Sequence, residues 1–260
     1  MDTDAVLDLL KETAATVITP RFRALSGGQV FEKAPGDLVT VADRESEIAI
    51  AAVLQAAYPD ALVLGEEAAS ADASLLEAFA AAEHSFTIDP IDGTKNFVNG
   101  SPDHAVMVAE VRGGAAVRSW IWVPERAEAF VAEAGAGAYR NGVRIERPAV
   151  VAGLPLRGAT SSQPLRSNAP APLQISDSWM CAGVDYAKVA LGEVEYVAFR
   201  NDWPWDHVPG ALLLAEAGGF TGRLDGSAYA PCGPLTPWLI GAASSEVLEA
   251  VRGPIASLVG

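Results

Sequence analysis

Apolar residues recur at helical spacing at Val6, Leu9, Leu10 and Val17 behind an Asp/Thr start, which predicts an amphipathic helix from Asp4 to about Phe22, ended or kinked by Pro20. A Pro35-Gly36 turn leads into the run Asp37 to Val41, and Asp43 reads as the cap of an Ala-rich helix reaching Tyr58, just before Pro59. Leu62 to Leu64 and Phe86 to Ile88 are short apolar runs that each end in acids, with a helical stretch around Ser74 to Ala82 between them. Ala105 to Val111, Val117 to Val123 and Glu128 to Ala132 read as successive antiparallel strands separated by Gly113-Gly114 and Pro124-Glu125 turns. Trp205 to Ala217 is helical in spacing, with Asp206 as its cap, and stops at Gly218-Gly219. Trp238 to Gly241 suggests a strand, and Ser244 or Ser245 caps a last helix. Helices and strands mix along the whole chain, with more antiparallel than parallel signals, so an α/β architecture of layered sheets and helices is expected.

The chain has 260 residues, half of them hydrophobic, enough for one domain over 1–260 or two closely packed halves of about 1–150 and 151–260. No linker, repeat or low-complexity tract interrupts it. Met1-Asp2-Thr3-Asp4 is acidic where a secretory signal needs a basic start, and no apolar run reaches membrane-spanning length, which points to the cytoplasm. Cys181 and Cys232 are too few for a disulfide framework and read as buried thiols in a reducing compartment, not as a zinc site. A net charge of −15 argues against nucleic acid and acidic membrane as partners. The same charge repels a small anionic substrate unless local cations reverse the field.

The densest chemistry lies in Asp89-Pro90-Ile91-Asp92-Gly93-Thr94-Lys95-Asn96-Phe97, where an apolar strand gives way to a helix start. Pro90 fixes the backbone and Gly93 permits a tight turn, so Asp89 and Asp92 can converge with the Ile91 carbonyl as a set of hard oxygen donors suited to Mg²⁺ or Mn²⁺. Helix-opening N–H groups at Gly93 and Thr94 can take phosphate oxygens. The string resembles the D-P-[IVL]-D-G-T-x-N-[FY] signature of the inositol monophosphatase family. Gly65-Glu66-Glu67 is similar to that family's G-E-E, and Trp205-Asp206 running on to Glu216-Ala217-Gly218-Gly219 is similar to its W-D…E-A-G-G segment. Asp37 to Thr40 with Asp43 also matches, so the resemblance extends from about Asp37 to Gly219.

The resemblance implies an αβαβα sandwich and a phosphomonoesterase acting on a small phosphorylated alcohol. It implies Glu66, Asp89, Ile91, Asp92 and Asp206 as ligands of two or three Mg²⁺ ions, and Glu67 as a nearby acid that tunes the site. Thr94, paired with Asp43, would orient the attacking water, while Asp92, Gly93, Thr94 and Asp206 would also meet substrate. Acids crowded in one pocket stay ionised together only with divalent cations between them. A homodimer follows weakly from the family. Histidinol phosphate, a bisphosphorylated nucleotide or fructose bisphosphate are alternative substrates, and a regulatory relative that acts by binding a partner is an alternative function.

One region departs from the pattern. Where inositol-phosphate-cleaving members commonly carry a Glu seven residues before the Trp-Asp aspartate, this chain has Phe199, and the usual G-[ST]-A run is replaced by Cys181-Ala182-Gly183-Val184-Asp185-Tyr186. This predicts a reshaped alcohol pocket with Asp185 as a substrate contact, unless Asp185 only caps a short helix through Ala190. Arg200 either binds a second anionic group or lies in solvent, and His207 belongs to the structure or the margin of the site.

Overall fold

The computed structural model describes residues 1–259. Helix α1 (Thr3–Thr13) is capped by Asp2 and continues through a π turn over Ala14–Ile18 into a 3₁₀ turn over Thr19–Arg21, where Pro20 ends the helical path as expected. A hairpin of β1 (Val30–Ala34) and β2 (Asp37–Thr40) follows, and β1 is a strand that the apolar pattern did not announce. Then come α2 (Val41–Ala57), β3 (Leu62–Gly65), α3 (Glu66–Ala71), α4 (Ser74–Ala81), β4 (His84–Asp92) and α5 (Thr94–Val98). Strands β5 (Ala105–Arg112), β6 (Ala115–Val123), β7 (Glu128–Glu133), β8 (Gly137–Arg140) and β9 (Val143–Arg144) complete a seven-stranded sheet in the order β3-β4-β5-β6-β7-β8-β9, antiparallel except for the β3–β4 pair. The second part of the chain contributes β10 (Leu156–Thr160), α6 (Gln163–Ser167), β11 (Leu173–Asp177), α7 (Ala182–Ala190), β12 (Tyr196–Phe199), α8 (Pro204–Glu216), β13 (Phe220–Arg223), β14 (Leu239–Ala242) and α9 (Ser245–Val259). Its five strands pair in the order β11-β10-β12-β14-β13.

The burial of β5 explains the layering. Every residue from Ala105 to Val111 is buried, so both faces of the strand are covered. Val106 and Val108 join Val6, Leu10, Ile50, Leu54 and Trp120 in a core under α1 and α2. Met107 on the opposite face joins Ile121, Val184, Tyr186, Leu213 and Ile240 in a core around α7 and α8, between the two sheets. The outer face of the five-stranded sheet is closed by α9 beside α6, with Leu248, Val251 and Ile255 buried. The order is therefore α, β, α, β, α, as expected. No helix among the described residues is long and apolar enough to cross a membrane.

Three expected caps are corrected. The N-cap of α2 is Thr40, and Asp43 sits at the third helical position, where its carboxylate returns a bond to the Thr40 N–H in a capping box. The N-cap position of α8 is Trp203, so Asp206 is the third residue inside the helix and makes no capping bond. Asp185 likewise lies inside α7, whose N-cap position is Cys181. Ser244 does cap α9, accepting from the Val247 N–H at 3.3 Å.

Candidate active site

Strand β4 runs through the acidic string instead of stopping before it, and its pairing with β5 slips between Asp89, opposite Met107, and Asp92, opposite Ala105. Three steps on one strand against two on the other make a bulge at Pro90-Ile91, the place where Pro has no ladder N–H to give. In an unbroken strand, residues three apart face opposite ways. The bulge removes that alternation and lets Asp89 and Asp92 serve one site. Gly93 then turns with φ +82°, and a Cβ there would stand 3.0 Å from the Asp103 carbonyl and 3.1 Å from that of Met180.

Asp43 is buried against this turn. Its Oδ1 accepts from the Thr94 hydroxyl at 3.0 Å, and its Oδ2 from the Thr40 N–H at 2.8 Å. Thr94 Oγ1 is also 3.0 Å from the Ile91 carbonyl, so its single proton has two competing acceptors. Across the site Glu66 and Glu67 open α3. Lys33 Nζ donates to Glu66 at 2.8 Å and to Glu67 at 2.9 Å, and the two N–H groups that start α3, of Glu67 and Ala68, are taken by the Glu47 carboxylate at 2.8 and 2.9 Å. Gly65 is required by that arrangement: a Cβ would lie 2.2 Å from the Glu47 carboxyl carbon.

Asp92 is gripped from the other half of the fold. Its Oδ1 accepts from Ala182 N–H at 3.0 Å and its Oδ2 from Gly183 N–H at 2.7 Å and Cys181 Sγ at 3.0 Å. Asp185, one turn along, is buried and accepts from the Trp179 N–H at 2.9 Å. A cavity of about 160 Å³ adjoins Asp92 and Asp206 and is lined on its far side by Asp185, Phe199, Arg200 and His207. His207 is a wall residue: Nε2 meets Asn201 Oδ1 at 2.8 Å, Nδ1 meets the Tyr186 hydroxyl at 3.3 Å, and burial depresses its pKa to about 3, so it is neutral. Phe199 stacks on Tyr186 with centroids 4.9 Å apart, an apolar surface in this pocket. A larger depression of about 780 Å³ lies beneath the 147–156 connection, with Arg147 and Glu246 as its charged residues, apart from the acids.

Burial dominates the electrostatics. It pushes Glu66 up to about 7 against the pull of Lys33, and Asp43 up to about 6 against its Thr40 hydrogen bonds. Asp89 and Asp206 are held well above the usual carboxylate range by burial and then by the surrounding acids, and burial raises Asp92 against its three donors. Asp89 Oδ1 is buried and has no hydrogen-bond partner among the described residues. Among those residues no three Asp, Glu, His or Cys side chains stand in ready-made ligand geometry, since Lys33 engages Glu66 and the start of α7 engages Asp92. The donor set still fits a hard divalent cation: every candidate is an oxygen, one of them is orphaned, and the acids oppose one another's ionisation.

The sequence-expected acids Asp43, Glu66, Asp92 and Asp206 are thus all within electrostatic reach of Asp89, with the Thr94 hydroxyl and the Ile91 carbonyl bonded beside Asp43. Sequence reasoning missed Lys33 and Glu47. For Lys33 no string gave a signal. Glu47 was visible in principle, because Asp43, Glu47, Ile50 and Leu54 fall on one stripe of α2, and all four are buried.

The chain matches the model of the inositol monophosphatase family over residues 2–256. It is 35% identical over 217 residues to the Nus factor SuhB of Pseudomonas aeruginosa, covering 76% of each chain. It is 30% identical over 241 residues to the inositol-1-monophosphatase of Mesorhizobium japonicum, covering 87% of this chain and 88% of that one. The Thermotoga maritima IMPase structure superposes with a TM-score of 0.80 at 25% identity, covering 98% of both chains.

Proposed function

Because this chain belongs to the inositol monophosphatase family, we propose that it is a Mg²⁺-dependent phosphomonoesterase that hydrolyses the ester of a small alcohol by direct attack of water. The observation that carries this reading is the buried acid cluster with its orphaned Asp89 oxygen beside a threonine hydroxyl held by Asp43. Glu66, Asp89, Asp92, Asp206 and the Ile91 carbonyl would hold two or three Mg²⁺ ions, with Mn²⁺ as a substitute. When bound, the metal supplies an acidified water and neutralises charge on the leaving oxygen.

The chain's own groups do the positioning. Thr40 fixes Asp43, Asp43 draws the Thr94 hydroxyl proton, and the Thr94 oxygen is then free to accept from the attacking water. Glu67 shares Lys33 with Glu66 and so tunes the charge of that corner. The Gly93 and Thr94 amides receive phosphate oxygens, and Asp185 accepts from the alcohol. Phe199 leaves myo-inositol 1-phosphate without an acceptor on its side of the pocket, so that ester is handled poorly.

We place this activity in one domain spanning residues 1–260, in the cytoplasm, and expect a homodimer by family likeness. A second reading, a regulatory protein that acts by binding a partner, is suggested by the name of the relative, a Nus factor. The acid cluster favours catalysis, and a charge of −15 opposes RNA. Phosphate release from a panel of phosphomonoesters, with Mg²⁺ and with chelator, separates the two. Silence across the panel overturns the enzymatic reading, and release that persists in chelator overturns its metal dependence.

A further inference from the structure

The chain carries eighteen Lys and Arg against thirty-three Asp and Glu. With acids in such excess, a cation without a partner is conspicuous. All but Arg44, Lys95 and Arg200 have an ionic or hydrogen-bonding partner among the described residues. Arg44 lies 5.0 Å from the Phe31 ring centroid, and Lys95 rests near Gly36. Arg200 alone of the three borders the cavity beside Asp92 and Asp206.

Its backbone is anchored on both sides. Before it, Phe199 is stacked on Tyr186. After it, Asn201 holds His207, and buried Asp202 pairs with Arg223 at 3.2 Å and accepts from Thr236 N–H at 2.7 Å. The anchored backbone keeps this exposed side chain at the edge of the cavity, with no protein acid to neutralise its charge. The rest of that wall is the apolar face of Phe199 and the His207 ring, whose two nitrogens are engaged by Asn201 and Tyr186, with Asp185 as the hydroxyl acceptor.

Building on the phosphomonoesterase reading, we infer that the alcohol released here carries its own anionic group, a carboxylate or a second phosphate, which the Arg200 guanidinium binds in a fork while Asp185 takes a neighbouring hydroxyl. The substrate class is a phosphorylated hydroxy acid or a bisphosphate of a small polyol. Neutral polyol phosphates of the same size are the disfavoured class.

Three esters test this: glycerol 2-phosphate, 2-phosphoglycerate and glycerol 1,2-bisphosphate share one carbon skeleton and offer Arg200 no second anion, a carboxylate or a second phosphate respectively. The expected kcat/KM ratio of the better anionic ester over glycerol 2-phosphate is roughly ten- to a hundredfold, carried in KM. In Arg200→Ala the ratio falls toward one, Arg200→Lys restores part of it, and rising salt erodes it in the wild type. Whichever anionic ester shows the larger ratio identifies the source, carboxylate or phosphate. Competition supplies a second measurement: glycerate should inhibit turnover of the best panel substrate at least tenfold more tightly than glycerol does, and Arg200→Ala should abolish the difference. A wild-type ratio near one together with equal inhibition, or a preference that survives Arg200→Ala, overturns the inference while leaving the phosphatase reading standing. No phosphate release from any ester removes both.

Discussion

Gly65→Ala should be far more damaging than an added methyl usually is. The backbone at Gly65 is extended, with φ −96° and ψ 153°, so alanine meets no local strain and would by itself contribute about 0.4–1 kcal/mol of stability through the unfolded chain. The obstacle is Glu47, whose carboxyl carbon and oxygens would lie 2.2, 2.4 and 2.5 Å from the new Cβ. Glu47 is buried and must retreat, giving up its bonds to the Glu67 and Ala68 N–H groups. Each charge-assisted bond is worth about 1.5–3 kcal/mol, so the loss of two is about 2–5.5 kcal/mol after the chain-entropy gain. Against a total stability of about 5–15 kcal/mol the variant still folds, with a melting temperature lower by roughly 10 °C. Activity should fall further than stability, because Glu66 is the first residue of the α3 turn that Glu47 secures. The decisive assay is a double-mutant cycle by urea unfolding. In a Glu47→Ala background the obstacle is gone, and Gly65→Ala should become neutral or slightly stabilising. If Gly65→Ala costs the same with and without Glu47, the carboxylate is not what the glycine accommodates, and the reasoning fails.

Other consequences are open to measurement. Asp89→Asn and Asp206→Asn should each abolish turnover yet raise the melting temperature of metal-free protein at pH 7.5, because each removes a buried charge from a repelling group; an active or a destabilised variant contradicts this. Thr94→Val should lower kcat by about 10²-fold or more while Mg²⁺ titration by calorimetry stays close to wild type. For pH, Glu66 and Asp43 have folded pKa values raised to about 7 and about 6, so between roughly pH 4 and 7 the folded state keeps protons that the unfolded state has lost, and stability falls as pH rises. Chelated protein should therefore unfold at lower urea at pH 7.5 than at pH 5, and added Mg²⁺ should close that gap; a midpoint that rises with pH in chelator refutes the assignment.

Much of this was legible in the sequence because backbone constraints write themselves into residue type. Pro90 and Gly93 sit where a strand bulge needs a missing donor and where a turn needs φ above zero, so the neighbouring acids Asp89 and Asp92 could be read as convergent. The antiparallel run from β5 to β7 was equally plain, since its turns carry Gly-Gly and Pro-Glu. Caps were misread by three or four residues because an acid inside the first turn and one at the N-cap look alike in a string, and for α2 only the Thr40–Asp43 reciprocity tells them apart. Lys33 lies on a two-stranded hairpin whose pairing depends on a partner strand beyond a turn, and its contacts with Glu66 and Glu67 span 33 and 34 residues. Nothing local encodes such a contact. Asp185 was ambiguous for a related reason: its burial comes from packing of α7 between sheets, which no local pattern reports.

The three donors from Cys181, Ala182 and Gly183 reach Asp92 across the seam between the larger sheet and the helical layer beneath the smaller one. That carboxylate therefore works as a rivet as well as a reagent. Any motion that slides one layer past the other must draw α7 away from Asp92. The contact that joins the layers is therefore also a contact of the proposed reaction centre, and parting the one disturbs the other.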